Sequence, residues 1–169
     1  MKKIIFMLLL TLLTAVNLHA NQPNFTLKTT DNKTLHVLDI KEGLLFQEFK
    51  GKTVFLVMFG NVCPPCRAEI PELIELAEKY KDKLEIVAVE VQGYNSTQLA
   101  QFKQQEGINY NLVSGDEHQD FVGHIVLRAG WKGQIPFIVV LDNKGEVQFI
   151  KQGVVPQKKL EGLIESFNK

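Results

Sequence analysis

Cysteine is scarce in this chain: two residues in 169, both inside the stretch Cys63-Pro64-Pro65-Cys66. That scarcity excludes a scaffold stapled by several disulfides. It also excludes a four-thiolate zinc site, because a third and fourth cysteine are missing. A net excess of either charge is missing as well. Lys plus Arg and Asp plus Glu each number 19, so the chain offers no electrostatic footprint for nucleic acid. Internal repeats and low-complexity segments are absent. Apolar runs long enough to span a bilayer are absent too, since a span needs about 20 residues.

The nearest approach to such a run lies at the start. Lys2 and Lys3 precede an apolar run, Ile4 to Val16, interrupted only by Thr11 and Thr14. Asn17-Leu18-His19-Ala20 follows. A positive start, a short apolar stretch and a small residue at the end read as a secretory signal peptide cut after Ala20. An uncleaved membrane anchor is the rival reading, for which the run is short. No cysteine stands at the cut to carry a lipid. Residues 1–20 are thus expected to be a signal peptide and residues 21–169 one domain. Removing the former takes two lysines and no acid, leaving a formal charge of −2.

Export places the two cysteines where disulfides persist. A structural disulfide gains most by closing a long loop. This pair closes a very short one, so its use is expected to be chemical.

Apolar periodicity outlines the rest. Phe25-Thr26-Leu27 and Leu35-His36-Val37 flank a polar turn and predict a hairpin. Residues 38–50 read as a connection of no clear type. Val54 to Phe59 is uninterruptedly apolar between Gly51 and Gly60, as in a strand buried on both faces. Helical spacing of Ile70, Leu73, Ile74, Ala77 and Tyr80 follows Cys66, with Pro71 inside it. Leu84 to Val91 is a second buried strand. A short helix over 97–106 stops at Gly107, and Tyr110 to Val113 is a short strand. Phe121, Val122, Ile125, Val126 and Ala129 mark another helix stopped by Gly130. Phe137 to Leu141 and Val147 to Lys151 are strands joined by the turn Asp142-Asn143-Lys144-Gly145. Leu160, Leu163, Ile164 and Phe167 mark a final helix. The order is a hairpin, then βαβα, then ββα, which calls for an α/β fold with a mixed central sheet and helices on both faces.

A Cys-x-x-Cys pair at a helix start suits disulfide exchange. Unpaired N–H groups and the positive end of the helix dipole favour a thiolate on the first sulfur. The second sulfur lies one turn on. Pro64 and Pro65 are tolerated at a helix start. Zinc would need further ligands, and His36, His118 and His124 are poorly spaced to supply them, so no metal is expected.

The stretch Phe59-Gly60-Asn61-Val62-Cys63-Pro64-Pro65-Cys66-Arg67-Ala68-Glu69-Ile70-Pro71 resembles the active site of the TlpA/ResA-like thioredoxins. The likeness extends over roughly residues 24–168. It implies a thioredoxin-like fold and an exported thiol–disulfide oxidoreductase, without cofactor, acting on protein thiols and disulfides. Several such proteins reduce apocytochrome c or other extracytoplasmic proteins. By the same resemblance Cys63 is the attacking thiol, Cys66 the resolving thiol, and Pro71 the proline of the active helix. Ile135 and the cis proline Pro136 form the docking surface for substrate. A membrane thiol transporter is the implied electron donor, and a monomer in the periplasm or on the extracytoplasmic face the implied state.

The sequence departs from the family at informative positions. Val62 stands where Trp is usual, and Phe137 where Thr is usual. The Gly133-Gln134-Ile135-Pro136 loop has one residue more than the commonest spacing. Val57 occupies the place of the buried Asp of cytoplasmic thioredoxins, which leaves Glu69 as the candidate proton carrier. An ordinary first-turn acid is the other reading of Glu69. Trp131 is expected to pack rather than to bind.

Two alternatives stay open from the residues, and a third is disfavoured by them. An oxidase or isomerase of the same fold shares the motif, because reduction potentials of such pairs run from about −270 to about −120 mV. A copper(I) carrier would also use two thiolates. A peroxiredoxin-type peroxidase would need Pro and Thr where Leu56 and Gly60 stand.

Overall fold

The computed structural model describes residues 24–167. The expected signal segment lies outside them. Among the described residues no helix is long and apolar enough to cross a membrane.

The centre is strand β4, Thr53–Phe59, buried along its whole length. Side chains alternate across a strand, and β4 feeds two cores in this way. Phe55, Val57 and Phe59 point into one, Val54, Leu56 and Met58 into the other. Full burial of each such side chain is worth about 1.5–3 kcal/mol, so this strand anchors both layers.

β4 pairs in parallel with β5 (Leu84–Glu90) and antiparallel with β7 (Phe137–Leu141). β6 (Asn111–Ser114) extends the sheet beyond β5, and β8 (Val147–Gln152) beyond β7, giving the order β6-β5-β4-β7-β8. On one face lie α1 (Pro64–Lys79), α2 (Ser96–Glu106) and α4 (Gln157–Phe167). On the other lies α3 (Gln119–Ala129) together with the N-terminal strands. The expected mixed sheet with helices on both faces is thus present.

Residues 38–50 are not a formless connection. β1 (Asn24–Lys28) pairs with β2 (Thr34–Ile40), and β2 turns back into a third strand, β3 (Gly43–Phe46). A 3-10 turn, Gln47–Phe49, leads on to β4. The N-terminal hairpin is therefore a three-stranded antiparallel sheet. Leu44 and Phe46 supply its extra buried face. Phe25, Leu27, Leu35 and Val37 join them against Phe121 and Ile125 of α3. Val126, one of the apolar residues in helical spacing, lies 41% exposed on α3.

Local signals explain the helix boundaries. Asn95 and Gln98 form a reciprocal capping box at the start of α2. Gly107 and Gly130 close α2 and α3 at φ 66° and 63°, a left-handed conformation that glycine adopts without cost from a side chain.

Candidate active site

β4 delivers the chain to the edge of the sheet at Phe59, and Gly60-Asn61-Val62 carries it over to α1. Cys63 is the N-cap of that helix, in extended conformation, with Pro64 and Pro65 in the first helical positions. The Cys66 N–H donates to Cys63 Sγ at 3.3 Å. The two sulfurs are bonded to each other, with Cα atoms 5.3 Å apart, within the ordinary range for a disulfide. The first sulfur thus occupies the place where a helix start concentrates unpaired donors. A pair so placed can cycle between disulfide and dithiol.

In this oxidised form both cysteines are buried. Cys63 is 6% exposed and Cys66 3%. Val62, at 72%, forms the outward surface beside them.

Ile135-Pro136 is a cis peptide bond, as the resemblance implies. Ile135 is half-buried and packs on both cores. Pro136 lines a cavity of about 10 Å³ with Val57, Glu69, Leu73 and Val155 among its other walls. Val57, which stands where cytoplasmic thioredoxins carry an acid, and Glu69, the acid present instead, thus line the same cavity as Pro136. Glu69 is partly buried, and its Oε1 accepts the N–H of Val155 at 3.0 Å. Burial holds its carboxyl above the ordinary value. The Val155 N–H pulls it partly back, and the charge of Glu72 adds to the rise.

Trp131 packs, as expected: it is buried, its ring lies 5.9 Å from that of Phe137, and its Nε1 donates to Gln134 O at 2.7 Å. That bond ties down the loop before Pro136. The histidines are dispersed. His36 pairs with Glu48, His118 accepts from the Lys28 N–H, and His124 lies 3.3 Å from Asp39. Among the described residues no cluster of His, Cys, Asp and Glu could hold a metal ion.

Sequence reasoning missed Glu90, at the end of β5. It is fully buried, the only charged side chain so placed among the described residues. Its Oε1 accepts from Asn61 N, Asn61 Nδ2 and Gln92 N at 3.3, 2.9 and 3.0 Å. Its Oε2 accepts from Tyr94 N at 2.8 Å. Next to it, Gln92 Oε1 accepts the Val62 N–H at 3.0 Å. Arg67 closes the loop from outside, with Nη1 3.5 Å from Asn61 O, its guanidinium over Phe102, and Glu106 as ion-pair partner. The available signal was an acid ending the apolar run Ile86-Val87-Ala88-Val89.

Solved structures share this architecture. A thiol:disulfide interchange protein of the thioredoxin family from Chlorobium tepidum TLS superposes with TM-score 0.65 at 21% identity, over 88% of this chain and 95% of its own. StoA from Bacillus subtilis gives 0.62 at 19% identity, over 83% and 96%. In sequence, the thiol-disulfide oxidoreductase ResA of Geobacillus kaustophilus is 32% identical over 120 residues, 70% of this chain. The match spans 65% of that relative's length. ResA of Bacillus thuringiensis is 30% identical over 146 residues, 85% of this chain and 74% of its own. Fold, dithiol and relatives together define a thiol–disulfide oxidoreductase of the ResA/thioredoxin type. The model of the AhpC/TSA family matches residues 19–150, and the chain belongs to that family.

Proposed function

We propose that this protein reduces disulfides of exported proteins, apocytochrome c among them, by dithiol–disulfide exchange on the extracytoplasmic side of a membrane. The carrying observation is the disulfide between the N-cap Cys63 and Cys66, with the Cys66 N–H on Cys63 Sγ. That N–H and the helix dipole stabilise negative charge on Cys63 once the pair is reduced.

The Cys63 thiolate attacks a substrate disulfide. One substrate sulfur leaves as a thiolate, and Cys63 is held in a mixed disulfide. Cys66 then attacks Cys63 Sγ and releases the second substrate sulfur. Two electrons pass to the substrate, and the enzyme is left as the Cys63–Cys66 disulfide. Ile135 and Pro136 form the surface on which the substrate chain lies. Glu69 takes the proton of Cys66 as it attacks, since Val57 supplies no acid there. A membrane thiol transporter returns the enzyme to the dithiol. The monomer is the working form, and residues 1–20 direct export.

Support for the extracytoplasmic setting comes from the positive and apolar N-terminal segment. Support for the reducing direction comes from the resemblance of the Cys63-Pro64-Pro65-Cys66 stretch to the TlpA/ResA-like thioredoxins, several of which reduce exported proteins. The deciding measurement is the reduction potential of the pair in defined thiol buffers. A value near the thioredoxin end, about −270 mV, fits a reductant. A value near about −120 mV would make the protein an oxidase and overturn the direction.

A further inference from the structure

A fully buried carboxylate without an ion-pair partner is costly unless hydrogen bonds replace its hydration. Glu90 has that replacement. Four N–H donors converge on it, three of them backbone groups and one the Asn61 amide. They come from two loops: Asn61 from the loop that presents Cys63, Gln92 and Tyr94 from the loop after β5. In the β4–β5 register Glu90 stands beside Phe59, four residues before Cys63. The three N–H groups leading into α1 are all held. Asn61 N donates to Glu90, Val62 N to Gln92, and Cys63 N to Gly60 O at 3.3 Å.

We propose that Glu90 is a positioning residue for the dithiol: it fixes the Gly60–Val62 loop, and its buried negative charge restrains ionisation of Cys63. The inference rests on the reading of Cys63 as the attacking thiol. The physical reason is a balance of two fields. The start of α1 favours a thiolate on Cys63. A negative charge nearby in the low-dielectric interior opposes it. On α1 itself the charged side chains next along the chain are Arg67, already paired with Glu106, and Glu69, whose Oε1 accepts the Val155 N–H. A thiolate held back in this way leaves the dithiol less stable and the pair more reducing, the poise a reductant needs.

The test is the pH profile of Cys63 alkylation in reduced, full-length protein, read by peptide mapping, with circular dichroism confirming the fold. Glu90→Gln removes the charge and keeps most of the shape. Its titration midpoint should fall, and alkylation at pH 7 should quicken about threefold or more. Its reduction potential should become less reducing. Asn61→Ala keeps the charge and removes one donor from it, so its midpoint should rise. A midpoint unchanged or raised in folded Glu90→Gln overturns the proposal. If that variant does not fold, Asn61→Ala decides, and an unchanged or lowered midpoint overturns it. Wild-type protein that labels first at Cys66, or fails to reduce insulin, would remove the reading of Cys63 itself. A competent wild type beside an unmoved variant removes only the role of Glu90.

Discussion

Glu69 Oε1 accepts the backbone N–H of Val155, so a carboxylate of the active helix is fastened to the loop that precedes α4. The same side chain walls the small cavity under Pro136. Its carboxyl is raised above the ordinary value by burial, which moves it toward the range useful for proton transfer. Glu69→Gln keeps an oxygen for Val155 and removes the titrating group. Disulfide exchange near neutral pH should slow by about tenfold or more, within or somewhat below the usual scale of general acid–base effects, about 10²–10⁴-fold. Stopped-flow fluorescence or insulin turbidity checks this. An unchanged rate in the folded variant would reduce Glu69 to a helix-start acid.

The same shift has a consequence for stability. Folded Glu69 binds its proton more tightly than the unfolded chain does. Stability therefore falls as pH rises from the unfolded carboxyl value, about 4.3, through the raised folded one. Above that window the full penalty of a desolvated charge remains. Glu69→Gln escapes it. Urea midpoints of the variant and the wild type should lie closest below pH 4, and the variant should gain relative to the wild type toward pH 7. A constant difference across that range would show that Glu69 titrates alike in both states.

The order of attack is open to a direct trap. Cys66→Ala leaves the mixed disulfide on Cys63 unresolved, so substrates should accumulate as covalent complexes on non-reducing gels. Cys63→Ala should accumulate none. Complexes in both variants, or in neither, would contradict Cys63 as the attacking sulfur.

Much of this site is legible in the sequence because its signals are local. Val54 to Phe59 declares a strand buried on both faces by six apolar residues in succession, and β4 is buried throughout. Gly107 and Gly130 stop helices where a left-handed residue is needed. Cys63 and Cys66 declare their chemistry by spacing. What escapes is what depends on distant partners. β3 is four residues long, and only its pairing with β2 and its burial on α3 make it a strand. Glu90 is merely an acid in an apolar run until Asn61, from another loop, brings two of its donors. Val126 fits the helical spacing of α3, yet the apolar stripe is wider than the surface available to cover it.

The N-terminal sheet is joined to the central one at a backbone crossing that admits no side chain. Leu44 N donates to Gly145 O at 2.9 Å, and Val147 N to Glu42 O at 2.9 Å. A Cβ built on Gly43 would lie 2.1 Å from Gly145 O. That obstacle is backbone, so the strands themselves would have to part. Overpacking of this kind costs about 1–3 kcal/mol, and Gly43→Ala should lower the urea midpoint accordingly. Gly123, inside α3, has nothing within 4 Å of the same added atom. Alanine there restricts the unfolded chain and suits a helix, so Gly123→Ala should stabilise by about 0.4–1 kcal/mol. Opposite signs for the same chemical change isolate the crossing as the cause. A Gly43→Ala variant as stable as the wild type would mean that β3 is not pinned against the β7–β8 turn in solution, and a destabilised Gly123→Ala would remove that variant as the control.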